Sequence, residues 1–376
     1  MSSSRYPTMP APGLDWAETH MPLTRAAVHE LAPVFRGLRI SMCLHVEPKT
    51  AALVRLLAAA GADISLTGSP GTTRDDTVDD LRRAGVTVHA ARDDAAPRVA
   101  DVLAHDPHLI LDNGGDLFLA VLDGYPTPSL IGGTEETTTG GILLRRRADA
   151  VRHPVIVIND SPLKLLVENR FGVGQSVVQG FMNATNLMIP GARATVLGYG
   201  PCGRGTAQTL RQLGALVTVV DTDPYRALEA SLEGFIVADT PRALSNAQLL
   251  FLATGAPGVV GAAEIAQLPD GVCIAGVGHH AWEMELAALG SPVASEAYHA
   301  SYATADGRTI HVIADNRMVN LVAGLGNPIE AMDLGLTLQA RSLAAVAQGL
   351  AENGVHGVPE DIDRRVARDF LAVRTA

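Results

Sequence analysis

Lysine is almost missing from this 376-residue chain: 27 of its 29 basic residues are arginine, and only Lys49 and Lys164 are lysine. Cysteine is scarce as well. Cys43, Cys202 and Cys273 are odd in number and lack C-x-x-C spacing, which excludes a disulfide framework or a cysteine-rich zinc site and suits a reducing cytoplasm. Positive charge is in deficit, with a net charge of -11. Nucleic acids and anionic membranes need a cationic footprint and are excluded as main partners. No apolar run approaches the ~18 residues of a membrane span. The opening MSSSRYPTMPAPG has no apolar segment of the kind a secretory signal needs, and it reads as a disordered arm.

What is present is a hydrophobic share of 47% and enough length for two domains at ~150 residues each. Strand-like runs alternate with helical patterns, which predicts an α/β fold with mostly parallel sheets. Residues 37–68 and 191–221 share one order, strand, turn, helix, Gly-Ala, strand, each reading as the first βαβ unit of a doubly wound sheet. Further strands are expected at 109–112, 155–158, 249–252 and 272–276, and a long helix at 174–189. From 328 the chain turns helical, ended by Gly354 and Gly357. The expectation is two Rossmann-like domains. The first is discontinuous, over 1–183 and 328–376, and the second spans 184–327.

Gly198-Tyr199-Gly200-Pro201-Cys202-Gly203 is a G-x-G-x-x-G run after the strand ATVLG and at the opening of a helix, with Asp221 at the end of the next strand. Gly198 permits the tight turn, Gly200 lets the backbone approach a pyrophosphate, and Gly203 permits close helix packing. The helix N-terminus offers N–H groups to the phosphates. Asp221 suits the ribose hydroxyls and favours NAD over NADP, with Arg226 the dissenting neighbour.

Three strings are hard to explain as packing: LDNGGDL (111–117), GGTEETTTGG (132–141) and VINDSPLKLLVENRFG (157–172). With CLHV, GYGPCGRG, DTDP, GVGH and NRMVNL they fall in register over roughly 37–330, and together they resemble the S-adenosyl-L-homocysteine hydrolase family. That resemblance implies a reaction in which NAD oxidises the substrate's 3′-hydroxyl and acidifies C4′–H. The 5′ thioether then leaves, water adds, and the stored hydride returns. It also implies roles. His45 handles the water and leaving group. Glu136 lies near the ribose and 5′ position, Lys164 with Glu168 deprotonates the 3′-hydroxyl, and His279 lines the ribose site. Thr137, Thr138, Thr139 and Asn169 lie at the nicotinamide end, and Asn320 binds the carboxamide. Thr254, Val277 and Gly278 join the cofactor contacts. The resemblance places substrate and cofactor in the cleft between the domains of a homodimer or homotetramer.

The departures bear on function. The family's aspartate implicated as the C4′ base is here Asn113, which cannot take a proton. The lysine's aspartate partner is Glu168, the active-site cysteine is Val173, the histidine of the G-H-P turn is Asn327, and the family's C-terminal tail is missing after Ala376. Where the family reads adenine with a threonine and a glutamate, this chain has Glu47 and Lys49. Carboxylate plus ammonium complement a 6-oxopurine rather than adenine. The leading expectation is hydrolysis of an S-nucleosyl-homocysteine thioether, by default the adenosyl compound. The alternatives are nucleoside 3′-oxidoreduction, epimerisation or lyase chemistry without thioether hydrolysis, and an NAD- or nucleoside-binding pseudoenzyme.

Overall fold

The computed structural model describes residues 12–68, 73–89, 98–278 and 281–375. Residues 1–11, expected from sequence to form a disordered arm, and His279 lie outside the described residues. The chain forms two units, one ending at Glu168 and resuming at Ile329, the other spanning Asn169–Pro328.

Among the described residues the first unit holds a seven-stranded sheet. Its strands are β1 (Arg39–Leu44), β2 (Asp63–Gly68), β3 (Thr87–His89), β4 (Leu109–Asp112), β5 (Gly132–Glu135), β6 (Pro154–Val157) and, late in the chain, Gly354–Gly357. From one edge the order is β3, β2, β1, β4, β5, β6, Gly354–Gly357, with every pairing parallel. The connections reverse direction between β1 and β4, and such switch points are where ligand crevices open at the carboxyl ends of the strands. The helix Ile329–Ala347 is buried on nearly every face. A helix buried on nearly every face belongs to a core, and its apolar residues share one cluster with Leu53, Leu57 and Leu111, while its buried Asp333 takes the N–H groups of Leu23 and Thr24. The first unit is therefore discontinuous. The glycines at 354 and 357 do more than end a helical run. They bound an edge strand, which a second helix, Glu360–Thr375, follows.

The second unit contains β7 (Arg193–Leu197), β8 (Leu216–Val220), β9 (Ile236–Val237), β10 (Leu249–Leu252), β11 (Val272–Gly276), β12 (Ala294–Ser295), β13 (His299–Ala303) and β14 (Thr309–Met318). Their order is β9, β8, β7, β10, β11, β14, β13, β12. As expected the sheet is mostly parallel, and it departs from that only at one edge, where β13 runs antiparallel to β14 and β12 antiparallel to β13. The reason is the short turn between β13 and β14, closed by Thr304 N–H to the Arg308 carbonyl at 2.9 Å. So short a connection joins only antiparallel strands.

The helix expected at 174–189 spans Val173–Thr185 and ends where Asn186 adopts a left-handed φ of 52°. It packs within the second unit: a Cβ on Gly174 would press on the Gly205 backbone, and one on Gly180 on the Val319 carbonyl. The two units accordingly divide after Glu168, not after 183.

Candidate active site

Three strand ends of the first sheet carry the expected chemistry. His45 follows β1, Asn113 follows β4, and Glu136 follows β5, its N–H bonded to the Asp112 carbonyl at 2.9 Å. Lys164 comes after β6, on a short turn, Pro162–Lys164, capped by the Ser161 hydroxyl. The turn runs on into a π-helix, Leu165–Gly172, a wide-turn form common at functional sites. Lys164 Nζ lies 2.7 Å from Glu168 Oε2 and 3.2 Å from Glu136 Oε1, and all three side chains are under 10% exposed. Gly335 makes room for the pair, since a Cβ there would strike the Glu168 carboxylate. Burial alone would lower the Lys164 pKa, but the charges of Glu168 and Glu136 override it and raise it, so the resting ammonium is protonated.

Asn113 Nδ2 donates to Glu136 Oε2 at 3.3 Å, and its Oδ1 is buried without a hydrogen-bond partner among the described residues. Burial lowers the His45 pKa against the opposing charges of Glu136 and Glu47, which leaves a neutral imidazole. Lys164, Glu168, Glu136 and Asn113 thus form one connected network, and His45 lies within the electrostatic reach of Glu136.

Beneath this network is a carboxyl pair that no motif in the sequence marks for a role. Asp112 and Glu135 are fully buried. Asp112 accepts from the N–H groups of Asn113, Leu117 and Phe118. Glu135 Oε1 accepts from Gly114 N–H, Thr137 N–H and the Thr137 hydroxyl, while its Oε2 has no partner among the described residues. The pair braces the DNGG turn against the start of the helix Thr138–Arg146, for which Thr137 is the N-cap. Burial pushes Asp112 up to about 7 and, with the Asp112 charge beside it, raises Glu135 well above the usual carboxylate range. Between the ordinary value of 3.8 and about 7 the folded chain holds a proton that the unfolded chain has released, so stability falls as pH rises through that window. Glu135→Gln preserves the three accepted bonds and puts an amide where Oε2 is orphaned. We expect a flatter pH–stability profile and a Tm at pH 8 higher by about 2–4 °C, read by thermal melts across pH. An unchanged profile would remove Glu135 as its source.

Thr138 Oγ1 accepts from Asn159 Nδ2, so two of the three consecutive threonines have local structural partners. Glu47 caps the helix Pro48–Ala59, taking the N–H groups of Lys49 and Thr50 at 3.2 Å each. Its Oε2 also lies 3.1 Å from Lys49 Nζ in a largely buried ion pair.

The second unit supplies the dinucleotide cradle. Gly198 has φ +95°, and a Cβ on it would press on the Ala253 carbonyl at 2.5 Å. A Cβ on Gly203 would collide with the Gly198 carbonyl. Pro201 starts the helix Pro201–Gln212 at its first turn, with Cys202 half-buried behind it. Asp221 accepts Tyr199 N–H at 2.6 Å and Asp223 N–H at 2.8 Å, holding its carboxylate at the mouth of the loop. Arg226 leans toward Gly200, 3.6 Å from where a Cβ would be, and pairs loosely with Asp223 at 3.7 Å.

Glu283, which nothing in the sequence singles out, takes the N–H groups of Thr254 and Gly255 and lies against Gly278, next to buried Val277. Asn320 Nδ2 donates to the Ser176 hydroxyl at 3.1 Å and to Asn327 Oδ1 at 3.4 Å, and Asn320 Oδ1 is buried without a partner among the described residues. Asn327, which stands where the family has the histidine of its G-H-P turn, thus joins Asn320 and Ser176. Asn169 opens this unit within the π-helix. The orphaned acceptor on Asn320, the glycine cradle and the carboxylate at the loop mouth fit a nicotinamide dinucleotide, whose carboxamide N–H₂, pyrophosphate and ribose need those three features.

A dinucleotide-binding crossover and, in the same chain, a buried lysine–carboxylate network define an NAD-dependent α/β enzyme. Residues 12–130 match the model of the S-adenosyl-L-homocysteine hydrolase family, and residues 169–326 match the model of its NAD binding domain. An S-inosyl-L-homocysteine hydrolase of Methanopyrus kandleri is 39% identical, the match covering 94% of this chain and 88% of the relative. An adenosylhomocysteinase of Sulfolobus acidocaldarius is also 39% identical, over 94% of this chain and 89% of the relative. In fold, the chain resembles a dipicolinate synthase polypeptide from Bacillus halodurans, with TM-score 0.50, 15% identity, and coverage of 85% of this chain and 100% of that one. The chain belongs to the S-adenosyl-L-homocysteine hydrolase family and is a hydrolase that uses NAD.

Proposed function

We propose that this enzyme hydrolyses the thioether of an S-nucleosyl-L-homocysteine, the adenosyl compound by default, to a nucleoside and homocysteine. The observation that carries the proposal is Lys164 clamped between Glu168 and Glu136 at the carboxyl edge of the first sheet. Bound NAD supplies reversible hydride acceptance from the ribose 3′ carbon. The chain's own residues manage protons. The Lys164 ammonium, 2.7 Å from Glu168, passes a proton to that carboxylate and then accepts the one from the 3′-hydroxyl. Neutral His45 is fitted to activate the water that adds at C5′. In the second unit Asn320 Oδ1 receives the carboxamide, and Gly198, Gly200 and Gly203 admit the pyrophosphate. We assign the enzyme to the cytoplasm as a homodimer or homotetramer. Its three cysteines, none of them in a disulfide, suit a reducing compartment, and among the described residues no helix is long and apolar enough to cross a membrane.

A second reading concerns the base. An ammonium offers donors only, and Lys49 Nζ, buried beside Glu47, complements the carbonyl oxygen of a 6-oxopurine better than the amino group of adenine. The relatives include hydrolases named for each substrate. Free-thiol release from S-adenosyl- and S-inosyl-homocysteine separates the possibilities. The second reading expects the inosyl compound to lead in kcat/KM by about tenfold or more. A lead for the adenosyl compound leaves Lys49 as a structural partner of Glu47 and the hydrolase intact. No thiol from either compound overturns the hydrolase itself.

A further inference from the structure

We infer that Glu136 is the group that accepts the ribose C4′ proton in this enzyme, with Asn113 as the residue that positions it. The inference rests on the hydrolase reading above and asks how elimination proceeds with an amide at 113. The carboxyl ends of β4 and β5 offer three carboxyl groups in or next to the strands, and two are closed off. Asp112 is fully buried, with its oxygens on three backbone N–H groups. Glu135 is fully buried, with three donors on Oε1, and lies under the helix start, where a Cβ on Gly140 would strike its carboxylate.

Glu136 differs from both. Its carboxylate is held by two side chains, Lys164 on Oε1 and the Asn113 amide on Oε2. The Asn113 amide therefore has a set orientation. Nδ2 holds Glu136 Oε2 by one lone pair and leaves its second lone pair for a proton, while Oδ1, buried and without a partner among the described residues, is an acceptor for a ribose hydroxyl. An aspartate at 113 would face Glu136 with like charge at 3.3 Å. Asparagine turns that repulsion into a hydrogen bond and moves the proton acceptor one residue outward, to the carboxylate already linked to Lys164.

The step balances. The C4′ proton goes to Glu136 Oε2, and the C4′–H electron pair becomes the C4′–C5′ π bond conjugated with the 3′ ketone. The C5′–S bond breaks, and its electrons leave with homocysteine as thiolate.

The test separates oxidation from C4′ chemistry in holoenzyme given the product nucleoside in D₂O. Absorbance of the reduced dinucleotide reports 3′-oxidation, and mass spectrometry of the nucleoside reports C4′ deuterium uptake. Glu136→Gln should lower the ratio of exchange to oxidation by about 10²-fold or more. Adding Asn113→Asp to that variant should restore exchange by about tenfold, because a carboxylate returns within hydrogen-bond distance of the one that was lost. An exchange-to-oxidation ratio within about threefold of wild type in Glu136→Gln overturns the assignment. If the Gln variant loses its dinucleotide, Glu136→Asp replaces it. Its exchange should fall about tenfold while the acidic limb of the pH profile persists, and an unchanged rate overturns the assignment as well. Wild-type enzyme showing neither reduced dinucleotide nor thiol release rejects the hydrolase reading instead, so the two failures are distinct.

Discussion

Lys164→Arg keeps the positive charge yet lowers turnover by about 10²–10⁴-fold, the usual value of a positioned proton-transfer group. The two cations differ in what the site needs. Guanidinium stays protonated at any working pH and presents a planar fork, whereas an ammonium can release its proton to a neighbour. Glu168 at 2.7 Å and Glu136 at 3.2 Å surround Lys164 as a compact point donor, and Gly335 leaves no spare volume for a larger head. Lys164→Ala should lose at least as much activity and also destabilise the fold by about 3–5 kcal/mol, because two buried carboxylates then face each other without a cation. The paired readout is steady-state thiol release together with thermal melts. If the arginine variant retains more than about a tenth of wild-type kcat, charge alone suffices and the proton-transfer role of Lys164 is wrong. In a chain that writes 27 of its 29 cations as arginine, a lysine at this point is a chemical requirement rather than a compositional accident.

The second large effect belongs to the cofactor. Gly203→Val should abolish retention of NAD through purification and with it all activity. The added side chain enters the space occupied by the Gly198 carbonyl, and a backbone atom cannot step aside as a flexible side chain can. The helix Pro201–Gln212 must then move off the strand β7, and its N-terminus no longer points at the pyrophosphate. The dinucleotide content of purified protein, measured against the wild type, reads this directly. A variant that keeps full NAD occupancy would show that the loop tolerates the shift. The first unit should be unaffected, since Gly203 packs wholly within the second.

Much of the architecture follows from patterns local enough to read along the chain. Alternating strand and helix periods, glycines at forced turns and the repeated βαβ opening announce two doubly wound sheets, and the strands at 109–112, 249–252 and 272–276 occur where read. What escaped is non-local. Gly132–Glu135 is a strand despite its two glycines because it is sandwiched between β4 and β6, and a Cβ on Gly133 would collide with the Ile110 carbonyl. The edge strand Gly354–Gly357 exists only because β6 lies beside it, and the β13–β14 hairpin was hidden among short polar residues.

The same divide runs through the site. Residue identities alone determined which chemistry is on offer: a dinucleotide loop ending in Asp221, two surviving lysines, a Glu-Glu-Thr run, and an amide at 113. Tertiary structure decided which of those groups are available. It sealed Asp112 and Glu135 under backbone N–H groups, made Glu47 a helix cap as well as the partner of Lys49, recruited Glu283 from a segment with no motif, and left Asn113 Oδ1 and Asn320 Oδ1 as buried acceptors. A sequence lists donors and acceptors, but hydrogen-bond saturation and burial are set by neighbours distant along the chain. For that reason the reaction class was legible before folding, and the assignment of its protons was not.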